Sequence, residues 1–393
     1  MFMLKRLALI FFALSAALPL TGAECKTLVT LVPNVAERCS GILPGQALSL
    51  PSVSRVSHMQ TFHVHLFFRD LTVRDGKIKA GTRILIRDAA GTIHFDSRDS
   101  IKTLELPAPA AGKQLLHPSG CRVVLGRDKN PGDYTVETEV TDLNAVNSVA
   151  RDTAKITLTI NPPQEGKGFQ SQREVMNFMR NYYLNPQPER IVPALRFWAG
   201  ILPELRQGWR SRPLALYSWF YFALKPNPQW WKPFAVEVTK MEAPDRNGAS
   251  LVLMALSGKK SRELFEVQEV KTLWQENVLW SEFFATGGKA PVEKICRQIR
   301  RFPQGMRPED YKMLQDPTAA DREKLMNNII GRSAMWSIRS FARTHKLVAG
   351  YLNKQMMEKR VQDDFTAEVI LRSIRPEFLE PEGNTLLPAA MEE

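Results

Sequence analysis

The feature that most constrains this chain is a single change in hydrophobic period. From residue 58 to 160 apolar side chains recur at every second position: Phe62, Val64, Leu66 and Phe68 alternate with Thr61, His63 and His65. The same period runs through Ile84 and Ile86, through Tyr134, Val136 and Val140, and through Ala154, Ile156, Leu158 and Ile160. Beyond Asn161-Pro162-Pro163-Gln164-Glu165-Gly166-Lys167-Gly168, a linker composition, Val175, Phe178, Met179 and Tyr182 fall at helical spacing. A period of two marks a strand with one dry face, and a period near 3.6 marks one face of a helix. The pattern therefore predicts an all-β part followed by an all-α part, each with its own core. The expected boundaries are 1–23 for a signal peptide, 24–57 for an N-terminal segment, 58–162 for a β-sandwich, 163–170 for the linker, 171–375 for helices and 376–393 for an acidic flexible tail.

Turn signals at Asp75-Gly76, Ala90-Gly91, Ser119-Gly120 and Pro131-Gly132 separate the alternating runs, as in an antiparallel sandwich. The runs GDYTVETEVTDLN and ARDTAKITLTI resemble the last hairpin of bacterial immunoglobulin-like domains. That resemblance implies a fold and attaches no activity. In the second part, Ser171-Gln172-Arg173-Glu174 is a capping-box sequence. Prolines at 188, 228, 291, 308 and 317 are placed in first helical turns, with Asn227 and Asp316 as caps before two of them. MNFMRNYYLNPQPERI, YSWFYFALKPNPQWWKP and WSEFFATGGKAPVEKI each give an aromatic helix end, a short polar turn and a proline, which predicts a degenerate series of helical hairpins in an open array or closed bundle. YYLNPQPE, WFYFALKPNP, WSEFFATGGKAPVEKI and AMWSIRSFARTHKLV resemble segments of a group of uncharacterised exported bacterial proteins. The resemblance implies a helical-hairpin domain and transfers no site.

Lys5-Arg6, the apolar run Leu7 to Leu20 and Thr21-Gly22-Ala23 read as a secretory signal cleaved after Ala23, which places the mature chain in the periplasm or outside the cell. The formal charge is +12. It is uneven: residues 163 to 361 carry 32 basic and 19 acidic side chains, whereas residues 24 to 162 carry 17 and 14 and the tail from 362 carries 2 and 8. A basic surface attracts polyanions, so an envelope protein, a glycan or an anionic lipid surface is the expected class of partner. Nucleic acid is not expected, since no docking motif is present. Of the four cysteines, Cys25 and Cys39 are close enough in sequence to favour a disulfide, and Cys121 and Cys296 lie in different expected domains.

The stretch Gly287-Gly288-Lys289 raises the question of a phosphate loop. A Walker A loop needs a second glycine five positions earlier, where Phe283 stands, and a hydroxyl after the lysine, where Ala290 stands. A helix-ending glycine followed by Pro291 in the next first turn accounts for every residue. His63 and His65 share a strand face as metal ligands would, with His58, Asp70 and His94 as further donors, but surface histidines are the simpler account and no metal or other cofactor is expected. His345 is placed late in a helix, where the macrodipole favours its proton. Glu263, Glu266 and Glu269 are read as a solvated helix face. The aromatic concentration between Tyr217 and Trp280 is mostly core by its spacing.

The functional expectation is a binding or scaffolding protein of the envelope without catalytic activity. Its candidate contact residues are Trp219, Tyr221, Trp230, Trp231 and Trp280 with the basic Lys294, Arg297 and Arg301. The alternative is a hydrolase acting on envelope polymers through Glu204, Glu237 or Glu282 in an aromatic groove.

Overall fold

The computed structural model describes residues 23–33, 35–40, 50–97, 103–108, 115–117, 120–145, 148–159, 165–205, 213–258, 260–314, 316–358, 361 and 363–374. The expected signal segment up to residue 22 and the tail 376–393 lie outside the described residues, as do residues 160–164 at the join between the two periodicities. Among the described residues no helix is long and apolar enough to cross a membrane.

Among the described residues ten strands come first: β1 Glu24–Thr30, β2 Arg55–Ser57, β3 Thr61–Arg69, β4 Lys77–Asp88, β5 Ile93–Asp96, β6 Leu104–Pro107, β7 Leu115–Leu116, β8 Cys121–Val124, β9 Gly132–Asp142 and β10 Ser148–Thr159. One short helix, α1 Val35–Ser40, interrupts them. They form a sheet in the order β1-β3-β7, with β8 also on β3, and a sheet in the order β2-β10-β9-β4-β5, with β6 also on β4. The β3–β7, β3–β8, β4–β5 and β4–β6 pairs are antiparallel, whereas β2 runs parallel to the end of β10. Asp75 and Gly76 both take positive φ, 54° and 71°, as the tight turn leading into β4 requires.

The strand β3 departs from the alternation expected of it. Its second face is not wet: His65 is 3% exposed and Phe67 2%. An interior strand is covered on both faces, so its polar positions are buried with the rest. The His65 ring lies so close to Gly120 that a Cβ there would come within 2.1 Å of it, so a larger residue at 120 requires the buried ring to move.

The helices follow in chain order: α2 Gln172–Asn181, α3 Ile191–Leu205, α4 Pro213–Leu224, α5 Trp231–Thr239, α6 Ala243–Leu256, α7 Leu273–Thr286, α8 Lys289–Cys296, α9 Arg301–Gln304, α10 Pro308–Lys312, α11 Ala319–Ala342, α12 Lys346–Met357 and α13 Asp364–Ser373. Ser171 caps α2 by accepting from Glu174 N, and the Glu174 carboxylate accepts from Gln170 N in return. Two joints share one geometry: Pro188 and Pro228 each open a three-residue 3₁₀ turn that runs into α3 and α5. Asn227 makes no cap there; its amide donates to Ala223 O at 2.8 Å instead. The start of α11 also differs from expectation, since Pro317 precedes the helix and Thr318 caps it in a box with Asp321. Buried side chains of α4, α6, α7, α8, α11 and α12 meet in one apolar cluster that holds Leu195, Trp198 and Leu202 of α3.

Cα packing divides the chain into two compact units that do not follow its linear order. One holds Met1–Thr27, Leu66–His117 and Thr135–Ala154; the other holds Leu28–His65, Pro118–Tyr134 and Lys155–Glu393. The second unit therefore combines α1, β2 and β8 with every helix from α2 to α13.

Candidate functional site

The Gly287 joint shows what the glycine-rich turn is for. Gly287 takes the left-handed conformation, φ 67° and ψ 16°, that ends α7, and α8 begins at Lys289. The partners of both helix ends come from α1. Arg38 donates from Nη1 to Tyr183 O and from Nη2 to Thr286 O, at the carbonyl end of α7. Glu37 Oε1 accepts from Lys289 N at 2.5 Å, at the amide end of α8. A cation at a helix C-terminus and an anion at an N-terminus both complement the macrodipole. Burial pushes Arg38 down to about 10, still charged at neutral pH. Tyr351 closes the joint by donating to Gly287 O at 2.7 Å. The turn is thus an anion-binding helix start whose anion is the chain's own carboxylate.

Most residues flagged by sequence are placed as structure. Trp219 is 2% exposed, Tyr221 0%, Trp230 1% and Trp280 4%. Side chains so enclosed present no face to a ligand, which corrects the aromatic part of the expected contact surface. Trp231 is half-buried, with its indole N donating to Leu224 O. Lys294 Nζ donates to Val267 O and Arg301 Nη1 to Val270 O, so both hold the 265–270 segment against the helices. Arg297 alone of the three is exposed. Cys25, Cys39, Cys121 and Cys296 are free thiols. The expected Cys25–Cys39 bond is not formed: Cys25 Sγ lies 3.5 Å from Thr138 Oγ1, and Cys39 sits on α1 beside the Arg38 anchor.

The histidines are likewise engaged. His63 and His65 stack at 6.2 Å between ring centroids. His58 Nε2 lies 2.8 Å from Lys129 O, His94 Nε2 lies 2.8 Å from Asp88 Oδ2, and Asp70 Oδ2 lies 3.6 Å from Arg69 Nε. Among the described residues no three His, Cys, Asp or Glu side chains are grouped to share an ion. His345 stands at the N-cap position of α12, just past the end of α11, with no side-chain cap bond. Burial and then the Arg180 charge hold it down to about 4, so the expected preference for a proton is reversed.

Of the expected acids, Glu237 is tied to Arg196 at 2.9 Å and Lys240 at 2.7 Å. The Glu204 side chain lies outside the described residues. Glu263, Glu266 and Glu269 do not share a helix: the 3₁₀ turn ends at Leu264. Glu266 Oε1 accepts from Tyr221 Oη at 2.6 Å and from Lys225 Nζ at 2.7 Å. Burial raises the Glu282 carboxyl, Lys294 and Lys225 oppose that rise, and Glu266 adds to it. Glu266 itself is held below its ordinary range by Lys225 and Tyr221, against its own burial.

One groove among the described residues was not flagged by the sequence pattern. A groove of about 330 Å³ runs between the starts of α7 and α10 and the outer face of α11. Its apolar lining is Leu273, Pro308 and Ile329, its polar lining Asn328, Ser333 and Arg332, and its wall the indole of Trp336. Trp336 is 69% exposed, unlike the enclosed tryptophans of α4 and α7. Arg332, Trp336, Arg339 and Arg343 follow at spacings of four, three and four, which puts them on one stripe running past the end of α11. None of these three arginines makes an ion pair among the described residues, whereas Arg190, Arg196 and Arg372 do. From Lys324 to Met357 the chain has six lysines and arginines and no aspartate or glutamate. That acid-free run was the available signal. Beneath the groove, Glu276 is 2% exposed, with Ser337 donating to its Oε1 at 2.8 Å and burial raising its carboxyl.

No family model and no curated protein matches the chain. Among solved structures, native alpha-2-macroglobulin from Escherichia coli, spanning domain MG7 to the C-terminus, is similar over 92% of this chain and 53% of that one, at 11% identity and a TM-score of 0.20. The chain spans about half the length of that structure, and a likeness at this TM-score carries no argument about fold or activity.

Proposed function

We propose that the protein is an exported, envelope-associated binding or scaffolding protein, and that its contact surface is the acid-free face of α11 and α12. The observation that carries this reading is the stripe of Arg332, Trp336, Arg339 and Arg343, where an exposed indole stands among guanidinium groups that make no ion pair among the described residues. An exposed Trp with arginines is the composition that dominates binding energy at interfaces. The apolar run after Lys5-Arg6 supports export. In the same reading residues 58–162 form an immunoglobulin-like sandwich that acts as spacer, supported by the two largely antiparallel sheets. Residues 171–375 form a series of helical hairpins, supported by the shared geometry at Pro188 and Pro228.

The test is co-sedimentation of the intact chain with a cell-envelope fraction. Retention at low ionic strength is expected, with release at about 0.5 M salt, where screening acts within a few ångströms. Loss of retention is expected in an Arg332→Gln, Arg339→Gln, Arg343→Gln triple variant. Equal retention of wild type and triple variant would overturn the assignment of the face.

One observation favours the hydrolase reading as a second reading: burial and the Glu266 charge raise the Glu282 carboxyl, while Lys225 and Tyr221 hold Glu266 itself low. Such splitting is how an acid and a base are set apart in one site. That reading requires release of fragments from envelope polymers by the intact chain, abolished in Glu282→Gln.

A further inference from the structure

We infer that the Trp336 groove binds an acidic polysaccharide, a sugar chain carrying carboxylate groups, with the indole stacked on a pyranose ring and Arg332 paired to the acid. This rests on the reading of the α11–α12 face as a contact surface and names its ligand. Three features select the class. The first is charge: Arg332, Arg339 and Arg343 have no ion pair among the described residues, and no carboxylate occurs between Lys324 and Met357 to neutralise them. Asp310, near the groove at Pro308, is already paired with Arg307 at 3.5 Å. A guanidinium fork matches a carboxylate in two hydrogen bonds.

The second feature is the mixed lining. Ser333 and Arg332 stand beside Leu273, Pro308 and Ile329, so the groove offers polar groups to hydroxyls and apolar surface to ring C–H faces, while Asn328, 3% exposed, is buried beneath them with its amide on Phe302 O. A volume of about 330 Å³ is at the small end of ligand clefts, roughly 300–1,000 Å³, and suits a short stretch of a polymer that continues past the groove. The third feature argues against a lipid surface. A helix that lies in a bilayer interface buries a continuous apolar face. On this stripe Trp336 is the one apolar residue of four, and it walls a concavity. Three arginines at spacings of seven and four, running along α11 and just past its end, fit a polymer with several acids better than a single headgroup.

The experiment titrates the intact chain with polygalacturonate, dextran, polyglutamate and vesicles containing an anionic phospholipid, reading affinity by calorimetry. Polygalacturonate is expected to bind at least about tenfold more tightly than dextran or polyglutamate. Trp336→Ala is expected to weaken it by about tenfold or more, the scale of a truncated hot-spot aromatic, whereas Trp336→Tyr, which keeps a stacking ring, should stay within about threefold of wild type. Arg332→Gln is expected to weaken binding and flatten its salt dependence. Because Trp336 is exposed, unchanged thermal melts of both Trp336 variants are expected, and either variant serves if the other fails to fold. Equal affinity for polyglutamate would reduce the effect to charge and overturn the proposal. Preferential binding to vesicles, or no effect of the Trp336 variants, would also overturn it. Envelope co-sedimentation separates the two readings: retention without polygalacturonate affinity removes the ligand assignment alone, and absence of both removes the contact face as well.

Discussion

At the scale of single residues, His345 shows how surroundings decide a proton. Its ring centroid lies 5.2 Å from Phe284 and 5.8 Å from Phe341, and its Nδ1 lies 3.1 Å from Tyr183 Oη. Burial and Arg180 hold it near 4. The ordinary value is about 6.5, so between those two pH values the unfolded chain binds a proton that the folded one refuses. Stability is therefore expected to rise with pH through that window and to be lost as pH falls from about 6.5 to 4, by on the order of 3 kcal/mol for this group. His63, held down to about 4 by burial, Arg122 and Arg38, acts in the same direction. Urea denaturation at pH 7 and pH 4.5 measures the loss, and His345→Gln is expected to reduce the difference between the two. The burial of this residue was not legible in the sequence. It lies between two helices, and the tyrosine and phenylalanines around it come from segments up to 162 positions away. The same limit applied to Trp219 and Trp336. Each is an aromatic on a helix, and only packing partners distant in the chain separate one that is 2% exposed from one that is 69% exposed.

At the scale of elements, local signals were readable because local chemistry causes them. The Ser171 cap and the Asp75-Gly76 turn were legible in a few adjacent residues and stand in the structure, although the Glu174 carboxylate takes Gln170 N in place of the Ser171 N a full box would use. The glycine ending α7 was legible for the same reason. What lay hidden was its partner. An alanine at 287 would meet a left-handed penalty of roughly 1–2 kcal/mol and would bring its Cβ within 2.5 Å of Arg38 Nη2. Gly287→Ala is thus expected to destabilise by more than the backbone penalty alone. Glu37→Gln, which keeps an acceptor but removes the charge from the start of α8, is expected to lose about 0.3–1 kcal/mol. Denaturation midpoints of the two variants and of their double combination check both numbers. Because the two residues serve one joint, the double variant should not be additive.

At the scale of the whole molecule, the compact units do not follow the linear order of strands and helices, since Leu28–His65 belongs with the helical unit. Arg38 supplies the reason within that unit: its guanidinium satisfies two backbone carbonyls in the interior. Leaving such groups unpaired costs roughly 1–3 kcal/mol each. A fragment beginning at residue 165 is therefore expected to unfold at lower urea than the intact chain, and Arg38→Met in the intact chain should reproduce much of that loss. Period and composition placed the strand-to-helix change, which is a property of neighbours in sequence. They held no information about a helix of six residues, α1, whose two ionic side chains complete a joint on the far side of the chain.

The contact from Glu37 to Lys289 spans 252 positions. Closing so long a loop must be paid in chain entropy before the contact returns anything, and chains dominated by distant contacts fold slowly. During synthesis Arg38 can meet Tyr183 O once residue 183 has emerged, but Thr286 O and Lys289 N come about a hundred residues later, so the joint cannot lock on a nascent chain shorter than that. An early-made segment is thus secured only by helices made much later.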